Sequence, residues 1–300
     1  MLKTDGGTRA EPTRHGPLRR PNVAAFTLIE LLVVIAIVAV LLSILLPTLS
    51  KARLAASEAR ERAAAAQLLL AYTLYADDNA GLLMIGHPTS AEVNGPMQVF
   101  DWTGQRITGE LARRYPWRLA PYLDYNVRGF YQSDRMLQEL RREQPADFTY
   151  WVSLIPSLGL NIDFLGGSEI DGYASNPAIL RTFGRYYARR LDEAVRPSQL
   201  IAFSSSRGPK EIYTPGISDP SGYFRLMPPN LFTQVWSRNP NFRSSDASAT
   251  GFVDFRYAGL AISVQLDGHA ESLSFDQMLD MRRWSPKASN PNYSIAAPNP

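Results

Sequence analysis

The sequence predicts an α+β protein in which one long N-terminal helix precedes a globular head with a small antiparallel β-sheet. Three observations support this prediction: an apolar run near the N-terminus, an alanine-rich segment behind it, and an alternating hairpin pattern near the C-terminus. The 300 residues are enough for one membrane element and one or two compact domains.

The apolar run lies between a basic leader and a proline. Residues 26–46 are hydrophobic or small, except for a few polar side chains of which Glu30 is the one that ionises. A helix of about 21 residues is roughly 31 Å long, which is enough to cross a bilayer. A charged side chain within a membrane span costs roughly 2.5–3.5 kcal/mol on insertion scales, so Glu30 calls for a functional reason. Pro47 cannot donate a hydrogen bond to Ser43, which predicts a kink or a local loss of helix.

Behind Pro47 the pattern remains helical. Residues 48–79 are rich in alanine and other helix formers, and Glu58 and Arg62 are spaced to pair. Gly81 is expected to end the helix in a left-handed conformation. The last two turns carry an apolar stripe that predicts packing on a domain, formed by Leu68, Leu69, Tyr72, Tyr75 and Ala76.

The head is predicted from short patterns. Helices are expected at 109–114, 133–142 and 177–194, and a buried strand at 199–204. Residues 260–266 and 269–275 read as a hairpin around Asp267-Gly268, a type I′ turn signal. The predicted organisation is a leader at 1–25, a transmembrane helix at 26–47, its amphipathic continuation at 48–80, a head at 81–284 and a flexible tail at 285–300.

Charge and cysteine content exclude several classes of function. The net charge is +3, and residues 1–25, with five basic and two acidic side chains, account for all of it. A nucleic-acid partner is therefore not predicted. The absence of cysteine excludes disulfides, thiolate zinc sites and cysteine nucleophiles.

Candidate catalytic and metal-binding patterns are weak. The three histidines, His15, His87 and His269, are too widely spaced to predict a zinc site. The serines at 204–206 lack the Gly-x-Ser-x-Gly elbow of a nucleophile and are expected to end a strand. No convergent polar constellation indicates an exported enzyme, so no catalytic activity is predicted and no cofactor is required.

Cleavage between Ala25 and Phe26 would provide a partner for Glu30. Phe26 would then carry an ammonium group with a pKa of about 7.7–8, one helical turn from the carboxylate. The carboxylate would also lie at the positive end of the helix dipole. The ion pair forms either within one chain or with the ammonium group of an adjacent subunit, and only the second choice gives Glu30 a role in assembly.

This order of features resembles the class III signal of type IV prepilins, which pilins share with the pseudopilins of type II secretion systems. The resemblance covers about residues 19–50: a basic leader, a small residue, Phe-Thr-Leu-Ile-Glu at 26–30, an apolar helix and Pro47. It implies that a membrane aspartyl prepilin peptidase cuts after Ala25 and methylates the amine of Phe26. It also implies that Glu30 guides each subunit into a helical filament. Ala25 departs from the glycine that the family usually has.

Later segments are similar to parts of the major-pseudopilin-like subgroup, at 75–81, 117–123 and 197–203. Asp267-Gly268 resembles the closing turn of a bacterial group whose motif is a histidine, nine residues, then Asp-Gly. This chain has Tyr257 at the histidine position, so a role of that histidine cannot be transferred. Residues 129–194 carry no such resemblance.

The resemblance also implies a calcium site in the C-terminal loops, because some pseudopilins of this type have one. Asp267 is the candidate ligand. A structural role in the turn is the favoured alternative for this residue, because aspartate commonly bonds to the backbone of its own turn.

The interpretation that unites these features is a pseudopilin-like or pilin-like subunit. The implied partners are prepilin peptidase, other subunits of the filament and an inner-membrane assembly platform. The implied location is the inner membrane, with the N-terminus cytoplasmic and the head periplasmic or in a surface filament. Two alternatives remain. One is a membrane-anchored binding protein of the envelope that never enters a filament. The other is that an ordinary signal peptidase removes the apolar N-terminal segment by cutting near Ala55-Ala56.

Overall fold

The structure is a computed structural model that describes residues 27–131, 134–170, 174–212, 222–237 and 246–295. The chain divides into two compact units, residues 1–51 and residues 52–300. The architecture is α+β, with a long N-terminal helix and small antiparallel sheets in the head, and it agrees with the predicted fold class.

Helix α1 extends over Leu28–Asp78 and is 51 residues long. Its apolar side chains from Leu28 to Leu46 are exposed to solvent. Among the described residues it is the one helix long and apolar enough to cross a membrane. The helix continues through Pro47, so the predicted local loss of helix does not occur there. The kink at Pro47 stays a prediction.

The second part of α1 belongs to the core of the head. Of the predicted apolar stripe, Tyr75 is half-buried and the other four side chains are buried, which confirms the stripe. The ring of Tyr72 meets that of Phe203 edge to face at 5.8 Å. The helix ends before two residues with left-handed backbones, Ala80 at φ +54° and Gly81 at φ +80°. The amide of Gly81 donates to the carbonyl of Ala76 at 2.7 Å, which satisfies a carbonyl of the last turn.

Short helices surround the sheets. The helix predicted at 177–194 is much shorter, because Gly184 at φ +68° ends it after seven residues. The helices predicted at 109–114 and 133–142 are present, with small changes at their ends. In chain order the helices are α2 (Ser90–Asn94), α3 (Glu110–Arg113), α4 (Tyr115–Leu119), α5 (Asp134–Glu143), α6 (Phe148–Leu154), α7 (Pro177–Phe183) and α8 (Phe275–Met278).

The strands form two antiparallel sheets. A two-stranded sheet pairs β1 (Val99–Phe100) with β2 (Arg106–Ile107). The larger sheet has four strands in the order β3-β4-β5-β6. Its strands are β3 (Leu158–Leu160), β4 (Ile201–Ser205), β5 (Leu260–Gln265) and β6 (Ala270–Ser274).

The predicted C-terminal hairpin is confirmed in β5 and β6, but its turn is not of type I′. A type I′ turn needs positive φ at both central residues, and of Asp267 and Gly268 only Gly268 has it, at +104°. The amide of Gly268 donates to the carbonyl of Gln265 at 3.0 Å, and the amide of Gln265 to the carbonyl of His269 at 2.9 Å. The loop therefore has three residues, with glycine at its left-handed position. The side chain of Asp267 accepts from the amide of His269 at 3.2 Å, and this bond stabilises the three-residue loop.

Both faces of the four-stranded sheet are buried. In β5, Ile262 and Val264 face the core that includes α1, and Ala261 faces a second core. Trp284, Ala288 and Ile295 belong to this second core.

The prediction of a flexible tail at 285–300 is therefore wrong for residues 285–295. The amide of Ile295 donates to the carbonyl of Leu231 at 2.8 Å, and Ala288 is fully buried. The proline- and asparagine-rich composition suggested a tail, but apolar side chains at intervals suffice to hold an irregular segment against the sheet. Residues 296–300 lie outside the described residues.

Replacing Ile295 with alanine tests this packing. The Ile295→Ala change should lower the free energy of unfolding by about 2–5 kcal/mol, because it removes buried methyl groups and leaves a cavity. Urea unfolding can be followed by tryptophan fluorescence, since all five tryptophans lie between residues 102 and 284. Val195→Ala is the control, because Val195 is 74% exposed and should change the free energy by less than about 0.5 kcal/mol. Equal effects of the two changes would contradict the packed segment.

Candidate functional site

The start of α1 is closed by a reciprocal contact between Thr27 and Glu30. Glu30 Oε2 accepts from the amide of Thr27 at 2.9 Å and from its hydroxyl at 2.8 Å. The amide of Glu30 donates back to Thr27 Oγ1 at 3.2 Å. This is a capping box, in which two amides that have no partner within the helix are satisfied by side chains.

The capping box was missed by the sequence analysis, although its signature Thr-x-x-Glu is present at 27–30. The sequence-based prediction for Glu30 rests on its charge alone. The structure adds that the carboxylate caps the helix and is held at its first turn. The predicted processing residues Ala25 and Phe26 lie outside the described residues.

A second carboxylate, that of Glu61, connects α1 to the sheet of the head. Glu61 is fully buried. Its Oε1 accepts from the hydroxyl of Ser205 in β4, and its Oε2 from the hydroxyl of Tyr257, both at 2.5 Å. A guanidinium nitrogen of Arg256 lies 3.7 Å from Oε2. Both oxygens thus have donors, which a buried carboxylate requires.

Tyr257 is the residue that stands where the resembled motif has histidine. Burial, and then the negative charge of Glu61, raise the pKa of the Tyr257 hydroxyl. The phenol therefore keeps its proton and acts as a hydrogen-bond donor at neutral pH. In this chain the position serves to hold α1 against the head.

A further group of contacts joins α1 to β6. The predicted pair of Glu58 and Arg62 is present at 3.0 Å. The hydroxyl of Ser272 donates to Glu58 Oε1 at 2.8 Å, and Arg62 donates to the carbonyl of Ala270 at 2.8 Å. The predicted pair therefore also binds the sheet.

The position of Glu61 on the buried face of α1 could have been predicted from its spacing in the sequence. It lies four residues before Ala65 and seven before Leu68, which are both buried. This spacing places a glutamate on the apolar face of the helix. Its partners could not be inferred in the same way, because Ser205 and Tyr257 are 144 and 196 residues away in the sequence.

Asp267 and Gly268 stabilise a turn in the structure. Asp267 Oδ1 lies 2.7 Å from His269 Nδ1, in addition to its bond with the His269 amide. Within the described part of the chain no group of three or more histidine, aspartate or glutamate side chains could hold a metal ion. Calcium binding at Asp267 stays a prediction.

The serines predicted to end a strand are buried and bonded. Ser204 Oγ donates to the carbonyl of Ile262 at 2.8 Å, and Ser206 Oγ donates to that of Tyr223 at 2.8 Å. With Ser205 bound to Glu61, all three hydroxyl groups have structural partners.

Comparisons with known proteins concern the N-terminal segment. A family model described as the prokaryotic N-terminal methylation motif matches residues 20–46. The match includes Ala25, Phe26 and the Thr27–Glu30 capping box, and it supports a type IV pilin-like signal. Together with the long apolar helix, it supports a membrane-anchored protein. Comparison with curated proteins and with solved structures gave no match to this chain.

Replacing Tyr257 with phenylalanine tests the contact between Glu61 and the head. Tyr257→Phe removes one donor to a buried carboxylate and should lower the free energy of unfolding by about 1–3 kcal/mol. Tyr125→Phe is a matched control, because the described part of the structure gives the half-buried Tyr125 hydroxyl no hydrogen bond. The measurement is again urea unfolding followed by tryptophan fluorescence. A Tyr257→Phe protein as stable as the control variant would show that the contact does not hold α1.

Proposed function

We propose that this chain is a pilin-like or pseudopilin-like structural subunit. A prepilin peptidase removes residues 1–25, and the mature subunits assemble into a helical filament of a type II secretion or type IV pilus-like system. The observation that carries this proposal is the methylation motif at 20–46 on a membrane-length helix. No catalytic activity of the subunit is part of the proposal.

The geometry at the start of α1 supports the processing step. The predicted scissile bond, between Ala25 and Phe26, immediately precedes the Thr27–Glu30 capping box. The box holds the Glu30 carboxylate at the first turn, close in sequence to the amine that cleavage would create. A carboxylate there is stabilised by the helix dipole and is available to a positive group.

The apolar part of α1 supports both anchoring and assembly. Before assembly, the exposed aliphatic side chains between Leu28 and Leu46 hold the subunit in the inner membrane. In a filament, the same side chains would pack against those of neighbouring subunits instead of lipid. The partners are then prepilin peptidase, other subunits and an inner-membrane assembly platform, with the head on the periplasmic side and no nucleic acid involved.

A second candidate is a membrane-anchored binding protein of the envelope that uses the signal without forming a filament. The observation in its favour is a cavity of about 320 Å³ in the head. An apolar cavity with a few polar groups is typical of small-molecule sites. The cavity is lined by Pro229, Asn230, Gln234, Trp236, Leu279, Met281, Pro291 and Asn292.

Mass spectrometry of the N-terminal peptide tests the processing step. In membranes from cells with a prepilin peptidase, the chain should begin with N-methylated Phe26. Ala25→Gly should raise the processed fraction, since glycine is the residue that the resembled signal usually has there. Ala24→Gly is the control and should leave the fraction unchanged. Chains that retain Met1 in such cells would contradict the proposal.

Three variants separate the possible roles of Glu30. If assembly needs its charge, both Glu30→Ala and Glu30→Gln should lose filaments and remain in the membrane. If only the cap matters, Glu30→Gln should assemble, because its amide oxygen can still accept from Thr27. Thr27→Ala removes the hydroxyl of the cap and keeps the charge. Filament content is measured by crosslinking and shearing, and unchanged assembly of Glu30→Ala would refute the filament role.

A further inference from the structure

A second cavity in the head lies between the docked part of α1, strand β1 and helix α4. Its volume is about 100 Å³, and it shares no lining residue with the cavity of about 320 Å³. Apolar side chains form most of its wall, and they include Met97, Phe100, Trp117 and Pro121. A closed cavity of about 150 Å³ holds benzene in another protein. Because Phe100 is half-buried and Pro121 is exposed, this cavity suits one flat ring that stays partly open to solvent.

Two tyrosine hydroxyl groups on this wall have no hydrogen-bond partner among the described residues. Tyr75 belongs to α1, and Tyr125 follows the turn after α4. Both side chains are half-buried. A phenol can donate one hydrogen bond and accept others, and tyrosine commonly buries its ring while the hydroxyl finds a polar partner. The two hydroxyl groups are therefore available to a ligand in the cavity.

The backbone holds Tyr125 in the wall of the cavity. Asp124 and Tyr125 are consecutive residues with left-handed backbones, at φ +49° and +54°. Residues with a side chain rarely adopt this conformation, and it persists only where the surrounding structure holds it. The amide of Tyr125 donates to the carbonyl of Ala120 at 2.8 Å, and that of Asn126 donates to the carbonyl of Leu123 at 2.8 Å. These bonds fix the turn, so Tyr125 is in place before a ligand arrives.

The guanidinium group of Arg118 brings a positive charge to the same wall. Arg118 is 6% exposed, and burial is the main cause that lowers its pKa to about 10. The guanidinium is therefore still charged at neutral pH. Its donors are bound to backbone carbonyl groups, those of Ile85, Gly86, Arg113 and Arg114. These carbonyl groups orient the guanidinium but carry no net charge.

No carboxylate among the described residues lies within ion-pair distance of Arg118. The charge of Glu92 acts on Arg118, but Glu92 Oε2 accepts from the amide of Thr89 at 2.7 Å and from its hydroxyl at 2.9 Å. Glu92 thus caps α2. The carboxylate of Asp124 is exposed and does not line the cavity. Arg118 can therefore attract an anion that enters the cavity.

We propose that this cavity binds a small aromatic carboxylate. The flat ring of the ligand packs on the apolar wall, and its carboxylate oxygens accept from the hydroxyl groups of Tyr75 and Tyr125. The charge of Arg118 stabilises the carboxylate through space, since its own donors are bound to carbonyl groups. The site goes beyond the filament role and does not depend on it, because all of its residues belong to the unit formed by residues 52–300.

Titration calorimetry on the full-length protein in neutral detergent tests this site. The probe is sodium phenylacetate at neutral pH, and phenylacetamide is the matched neutral compound. Titration into detergent without protein is subtracted. We expect saturable binding of phenylacetate and at least tenfold weaker binding of phenylacetamide, because the amide has no charge for Arg118 to stabilise. Sodium acetate should also bind at least tenfold more weakly, because it has no ring to fill the apolar wall.

Tyr75→Phe and Tyr125→Phe each remove one hydroxyl group and keep the ring. Each should weaken phenylacetate binding by roughly tenfold, since a hydrogen bond to a charged group is lost. Tyr150→Phe is the matched control and should leave the affinity unchanged. Tyr150 is also half-buried, its hydroxyl has no hydrogen bond among the described residues, and it does not line the cavity. Tryptophan fluorescence confirms that each variant is folded.

Four results would each overturn the proposal. They are absence of saturable phenylacetate binding, equal affinity for phenylacetamide, unchanged affinity of either cavity variant, and an equal loss of affinity in Tyr150→Phe. None of them bears on the filament function, whose tests are the mass of the N-terminal peptide and the assembly of the Glu30 variants.

Discussion

The position of α1 in the head depends on the burial of one carboxylate, that of Glu61. The hydroxyl group of Ser205, in β4, donates to one of its oxygens, and that of Tyr257, three residues before β5, donates to the other. Because an unpartnered buried charge is costly, these donors must stay in place whenever the helix is docked. The apolar stripe supplies the area of contact, and the polar contacts define where along the helix the sheet meets it.

Glu30 and Glu61, which both belong to α1, show that the surroundings of a glutamate side chain decide its role. Glu30 is exposed and caps the first turn of α1. Glu61 is buried and binds the sheet. The proposed filament function uses the first residue for assembly and the second to hold the head on its helix. The two roles are separable by mutation because the residues have no partner in common.

The four-stranded sheet also explains the organisation of the C-terminal region. Apolar side chains cover both faces of the sheet, and the chain after β6 supplies part of the second core. Residues 285–295 contribute Ala288 and Ile295 to this core without regular secondary structure. The same segment lines the cavity that favours a binding role, through Pro291 and Asn292.

The sequence by itself determined the elements whose signals are local. The membrane-length helix, its apolar stripe, the pair of Glu58 and Arg62 and the C-terminal hairpin follow from periodicity and spacing, which act over one or two turns of chain. The tertiary structure alone decided the partners of Glu61, the three-residue turn and the packing of residues 285–295. The partners of Glu61 and the packing of residues 285–295 depend on groups that are far apart in sequence, and the turn depends on competing hydrogen bonds. A local sequence pattern does not contain the energy of such contacts.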